Sequence, residues 1–238
     1  MEYYLIALIM LTGAFLQGIT GFGSGLLAVP LLSLLLPLPV LTPLVSIVNV
    51  FMAGYLCWLL RHYLHVQRWH SLLVAGMLGS LLGNQLLHWV PVATLQLGMA
   101  LLVIGLGVLF WFGVQWQLKA TRPLQVGVGL LAGISNGALT LGGPPVVLFL
   151  TASRLHQTEF RATLAVFFLA IGLTNVVSFA SQGSYQNLDI TLIAALLAGA
   201  ISGAYLGHRV SGKLSEQVFR KLALLLIISS GVVALLTR

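Results

Sequence analysis

Acidic residues are almost missing from this sequence. Glu2, Glu159, Asp189 and Glu216 are the only four in 238 residues. With eleven Lys and Arg they make up 6% of the chain, against about 25% in a soluble domain. So few charges cannot cover a water-soluble globule of this length, so lipid must be the solvent for most of the surface. All four acids fall in loops or at expected helix ends, which argues against a carboxylate proton relay or a carboxylate sodium site at the midplane. Cysteine is nearly absent too: Cys57 stands alone in an apolar run, so there is no disulfide framework and no cysteine metal cluster, and it reads as a small packing residue.

Other absences narrow the function. No hydrophilic stretch is long enough for a soluble domain, and no GxxxxGK[ST] motif supplies an ATP motor. The start, Met1-Glu2-Tyr3-Tyr4, lacks the basic region of a signal peptide and is expected in the mature protein. His62, His65 and His70 cluster with Arg61 and Arg68, but no carboxylate or thiol joins them, so they read as a solvated loop and not a metal site. Gly21-Phe22-Gly23-Ser24-Gly25 lacks the strand–helix setting of a dinucleotide fingerprint. No cofactor is expected. No acid–base pair or activated nucleophile suggests an enzyme. The net charge of +7 is spread over short loops, which does not suit nucleic acid.

What is present is apolar: 59% of the residues. Runs of membrane-crossing length fall near 41–60, 70–88, 93–114, 161–180, 190–207 and 218–236. Two further stretches, 3–36 and 124–152, are too long for one crossing and are interrupted by small and polar residues. The first interruption runs from Gln17 to Gly25 and the second from Ser135 to Pro145. Each reads as a broken helical hairpin that returns to its starting side. Trp69, Trp89, Trp111 and Trp116 sit near helix ends, as interfacial anchors do.

Loop charge supports the hairpins. Arg61 and Arg68, Lys119 and Arg122, Arg154 and Arg161, and Arg209, Lys213, Arg220 and Lys221 mark four basic loops. The loops 37–40, 89–92 and 181–189 have no Lys or Arg. With basic loops cytoplasmic, stretch 124–152 begins and ends inside, and 3–36 begins and ends outside. Both termini then face outward.

The halves resemble each other. At an offset of 124 residues Gly79 falls on Gly203 and Gly83 on Gly207; at 119, Gln17-Gly18 falls on Asn136-Gly137 and Gly23 on Gly142. Each half, 1–118 and 119–238, holds a hairpin plus three crossings, an odd net number, so the second half enters the membrane inverted. The expected fold is an all-α polytopic membrane protein of two inverted-topology repeats, a transporter plan with its site near the midplane.

Irregular backbone at membrane depth is tolerated where it is buried or lines a cavity. The two breaks are therefore expected to meet and to offer helix N-termini to an anion. Candidate substrate-binding residues are Gln17, Thr20, Gly21, Gly23, Ser24, Gly25, Asn49, Asn136, Thr140, Gly142, Gly143 and Asn175, all neutral. Arg154 and Arg161 are candidates for a cytoplasmic entrance, with topology marking as their plainer role.

Gly13 to Gly25 with Pro30-Leu31-Leu32, and Gly133 to Leu148 with Gly142-Gly143-Pro144-Pro145, resemble the two signatures of the TauE/SafE sulfite exporter family. That family is also called the toluene sulfonate uptake permease family. Phe160-Arg161-Ala162-Thr163 resembles the segment that follows, and the likeness covers essentially the whole chain. Phe22 and Ser24 interrupt the usual glycine triplet of the first break, and Asn136 to Leu141 widen the second. The resemblance implies a multi-pass permease of the bacterial cytoplasmic (inner) membrane for small sulfur-containing anions such as sulfite or sulfonates. Its expected partners are the anionic substrate and membrane lipid, with a homodimer open. An anion channel, or a membrane subunit serving a soluble partner, are the alternatives.

Overall fold

Long uncharged stretches can hide their backbone from lipid as helices. Every regular element among the described residues is helical. The computed structural model describes residues 2–32, 35–36, 38–89, 119–140, 142–153, 155–186 and 189–211, with isolated positions at 94, 97, 101, 105, 218 and 225. The expected helices 93–114 and 218–236 lie outside the described residues apart from those isolated positions, as does Arg154.

The elements are α1 (Glu2–Thr20), α2 (Ser24–Leu32), α3 (Leu38–Leu59), a 3-10 turn (Arg61–Tyr63) and α4 (Val66–Trp89). They continue with α5 (Arg122–Leu139), α6 (Gly143–Ala152), α7 (Gln157–Ser181) and α8 (Ile190–Ser211). Four stretches, Tyr3–Thr20, Val40–Leu59, Gln157–Ser181 and Ile190–Ser211, are long and apolar enough to cross a membrane. In contrast α2 has 9 residues and α6 has 10. At about 1.5 Å per residue each reaches roughly 15 Å, half the hydrocarbon core. Each is the short arm of a broken hairpin.

The breaks are narrower than the sequence suggests. Gln17, Gly18 and Thr20 still belong to α1, and Ser135, Asn136 and Gly137 to α5. In the first break Gly21 (φ +87°) and Gly23 (φ +106°) take left-handed backbone that glycine adopts without strain. The Thr20 hydroxyl lies 2.8 Å from the Leu16 carbonyl and 2.7 Å from that of Phe22, tying the chain across the turn. In the second break Thr140 is left-handed (φ +57°), and its N–H donates to the Asn136 carbonyl at 2.8 Å. Pro144 and Pro145 fall in the first turn of α6, where a missing N–H costs no helical bond. Pro30 lies in the last turn of α2.

Two glycine seams join the arms to full-length helices. On α8, Gly199, Gly203 and Gly207 face the backbone of Ala7, Leu11 and Phe15 on α1. On α4, Gly79 and Gly83 face the backbone of Leu130 and Ile134 on α5, and Gly129, Gly133 and Gly137 face that of Leu72, Gly76 and Ser80 in return. Residue numbers rise together along both seams, so each pair is parallel. Lipid gives helices no hydrophobic reason to associate, so contact rests on such close backbone packing. Helix α3 lies against α7, with α4 also on α7 and α3 on α8.

The apolar clusters follow the seams. One gathers Met10, Ala28, Val45 and Leu196, from α1, α2, α3 and α8. Another gathers Leu72, Val146, Leu150, Leu164 and Phe167, from α4, α6 and α7, with Phe22 of the first break. Each cluster thus borrows one helix from the other half of the sequence. Trp69 belongs to this second core, 2% exposed and edge-on to Phe149, and is not the interfacial anchor its place in the sequence suggests. The indole is large enough to fill the space between α4 and α6, and burial there outweighs an interfacial seat.

Candidate functional site

The two breaks meet around a cavity of about 30 Å³. Its walls are Gln17 from the end of α1, Phe22 and Gly23 from the break, Ser24 and Gly25 from the start of α2, and Asn49 from α3. The other half supplies Asn136, Thr140, Gly143 and Phe168. None of these ten side chains titrates. On this measure one water needs about 10–15 Å³, so the space suits two or three waters or one small ion. A drug-sized molecule needs roughly 300–1,000 Å³.

The local chemistry favours an anion. Helix α2 opens onto the cavity with Gly23, Ser24 and Gly25 at its N-terminus, where backbone N–H groups have no helical partner. The Ser24 hydroxyl donates to Asn49 Oδ1 at 3.2 Å, which turns the Asn49 amide toward the break. Helix α6 offers less, because Pro144 and Pro145 carry no N–H and leave Gly143 as the donor there. The two helix ends are therefore unequal: α2 supplies donors, and α6 chiefly its dipole. A helix terminus contributes about 0.3–1 kcal/mol to an exposed anion and up to about 2 when partly buried. None of the described wall residues is a lysine or arginine, which leaves helix ends and neutral side chains as the groups that could hold an anion.

Eight of the sequence candidates, Gln17, Gly23, Ser24, Gly25, Asn49, Asn136, Thr140 and Gly143, come together on this cavity. The other four within the described residues lie elsewhere. Thr20 spends its hydroxyl on the turn. Gly21 packs on the stem of Arg161, where a Cβ would meet its Cα at 3.2 Å. Gly142 lets the break close on α5; a Cβ there would meet that of Asn136 at 2.5 Å. Asn175 belongs to a buried polar contact between α4 and α7. Its Oδ1 accepts from the Ser80 hydroxyl at 2.5 Å and from Asn84 Nδ2 at 3.3 Å.

Phe22 and Phe168 line the cavity although neither was among the candidate binding residues. For Phe168 a signal existed: it follows Asn49 by the same 119 residues that separate Gln17 from Asn136. Arg161 departs from its expected place in an entrance loop. It lies in the first turns of α7, 5% exposed, with its guanidinium against the ends of α1 and α8. The apolar residues from Ala162 onward pull the helix start inward, and the carbonyls and hydroxyls at those two helix ends solvate the cation in place of water.

Comparison with known proteins agrees with this architecture. The family model described as sulfite exporter TauE/SafE matches residues 5–234. The probable membrane transporter protein YdhB of Bacillus subtilis (strain 168) is 25% identical over 234 residues, covering 91% of this chain and 93% of that protein. No solved structure matches the chain. A family match over nearly the whole sequence, on a multi-pass bundle of apolar helices, identifies this chain as a membrane transporter belonging to the sulfite exporter TauE/SafE family.

Proposed function

We propose that this protein is a secondary transporter for a small sulfur-containing oxyanion, working across the bacterial cytoplasmic membrane. The observation that carries this reading is the uncharged cavity where both broken hairpins converge, with the N-terminus of α2 opening onto it. Its size favours an ion as small as sulfite over an arylsulfonate in this state. Modest binding suits a carrier that must release its cargo as well as hold it.

Alternating access would follow from two inverted repeats, 1–118 and 119–238, rocking against each other around the cavity. The packing supports the repeat with the offsets legible in the sequence. The seam partners Leu11 and Leu130, and Phe15 and Ile134, stand 119 residues apart, while the glycines they face stand 124 apart. The left-handed residues Gly21 and Thr140 also stand 119 apart. The parallel pairing of α1 with α8 and of α4 with α5 agrees with the directions that loop charge assigns to these helices.

The test is joint substitution of Gln17 and Asn136 by Ala in purified protein, read by thermal shift against sulfite, thiosulfate, sulfate and benzenesulfonate. The wild type is expected to gain stability with sulfite or thiosulfate, and the double variant to lose that gain while unfolding normally without ligand. An undiminished gain would move the site away from the cavity. In proteoliposomes, saturable uptake with counterflow is expected; large ohmic currents would make the protein a channel instead.

A further inference from the structure

Beside the cavity, and not part of its wall, lies a buried cation with no acidic partner among the described residues. Arg161 Nη1 donates to the Ser211 hydroxyl at 2.7 Å, and Nη2 to the Gly18 carbonyl at 2.6 Å and to His208 Nδ1 at 3.1 Å. Its Nε has no hydrogen-bond partner among the described residues. No carboxylate pairs with it among the described residues, where the ion pair found is Arg68 with Glu159. The acceptors are neutral groups near the C-terminal ends of α1 and α8. Each such end carries about half a negative charge, enough to tolerate a guanidinium. Bonds to these acceptors are weaker than bonds to an oxyanion, whose charge-assisted pairing with arginine is roughly twice as strong and can be bidentate.

The position matters as much as the charge. The Arg161 stem supports the backbone of Gly21, two residues before Gly23 enters the cavity wall. The guanidinium therefore sits behind the first break, between α1, α7 and α8. At the offset of 119 residues that pairs Gln17 with Asn136, the counterpart of Arg161 is Thr42 in α3. By that offset a cation near the first break corresponds to a neutral threonine in the other half of the sequence.

We propose that Arg161 is a second anion station serving one access route only, the one that opens between α1 and α8 at the first break. This rests on the transporter reading above. When those two helix ends part, the guanidinium exchanges Gly18 and Ser211 for the incoming oxyanion and hands it to the donors at the start of α2. The route beside Thr42 has no such station, so the carrier loads unequally from its two sides. An arginine that merely clamped α1 to α8 would affect both sides alike.

The experiment measures uptake of ³⁵S-sulfite in right-side-out and inside-out membrane vesicles, for the wild type, Arg161→Gln, Arg161→Lys and Ser211→Ala. Arg161→Gln should raise the KM by roughly tenfold or more from one side, the scale of one lost bond to a charged group, and leave the other side within about twofold. Arg161→Lys should recover part of the loss because it keeps the charge. Ser211→Ala, which removes a clamp partner but not the cation, should leave the asymmetry intact. If Arg161→Gln does not reach the membrane, the Lys variant carries the test: a KM raised on one side supports the station. Equal changes from both sides, or loss of asymmetry in Ser211→Ala, would overturn it and make Arg161 a clamp. A wild type that moves no sulfite from either side would refute sulfite as the cargo, and the station with it, while leaving the membership of a transporter family intact.

Discussion

Two glycines on one helix, two residues apart, isolate what the seam between α4 and α5 contributes. A Cβ on Gly127 would meet nothing within 4 Å. A Cβ on Gly129 would lie 2.5 Å from the Leu72 carbonyl, 2.9 Å from the Ala75 Cβ and 3.1 Å from the Gly76 nitrogen. Ordinary contact begins near 3.4 Å, so Gly129→Ala must part the helices by about 0.9 Å or bend one of them. The obstacle is backbone on a rigid helix, which cannot rotate aside. Both Ala variants gain the same helix propensity, about 0.8–1 kcal/mol. Only Gly129→Ala also bears an overpacking cost of about 1–3 kcal/mol. The pair should therefore differ by about 1–3 kcal/mol, which at roughly 2–4 °C per kcal/mol in a chain of this size is a Tm gap of about 2–12 °C. Tryptophan fluorescence during heating in detergent reads it. Gly127→Ala should match or exceed the wild type, and Gly129→Ala should fall below Gly127→Ala. Equal melting temperatures would show that close backbone approach is not what holds α4 to α5.

Two further outcomes are expected. Asp189, in the loop before α8, takes a hydrogen bond from the Tyr3 hydroxyl at 2.9 Å and caps the helix through the N–H groups of Thr191 and Leu192. The Tyr3 bond, first among these, holds its carboxyl below the ordinary 3.8. The stabilisation is present above that ordinary value and is lost as pH falls through the lower folded one, so Tyr3→Phe should weaken the acid-side fall in Tm; an unchanged profile would discount the bond. For topology, single cysteines replacing the exposed residues His156 and Gln186, with the buried Cys57 retained, should react with a membrane-impermeant maleimide from opposite sides, and same-side labelling would break the inverted-repeat arrangement.

Much of the cavity lining was legible because its residues are anomalous for their surroundings. A glutamine, an asparagine and glycines clustered within apolar stretches too long for one crossing leave few explanations besides a buried break. The fold brings eight of those twelve candidates to one cavity. The other four show what local sequence cannot rank. Thr20 and Thr140 look alike on paper, but the first closes a turn and the second reaches the cavity wall. Asn175 looks like a counterpart of Asn49, yet its helix face meets Ser80 and Asn84, and Phe168 takes the matching place.

The sequence by itself determined that this protein lives in lipid, that it is helical, and that two of its apolar stretches must break. Those conclusions follow from the scarcity of charge and the length of apolar runs, which act on each segment alone. Tertiary structure decided which helices pair, because a glycine marks a close approach without naming its partner. It also decided the fate of Arg161. Loop charge marks it as one of several cytoplasmic cations, and only the convergence of two helix ends far away in sequence could bury it beside the site.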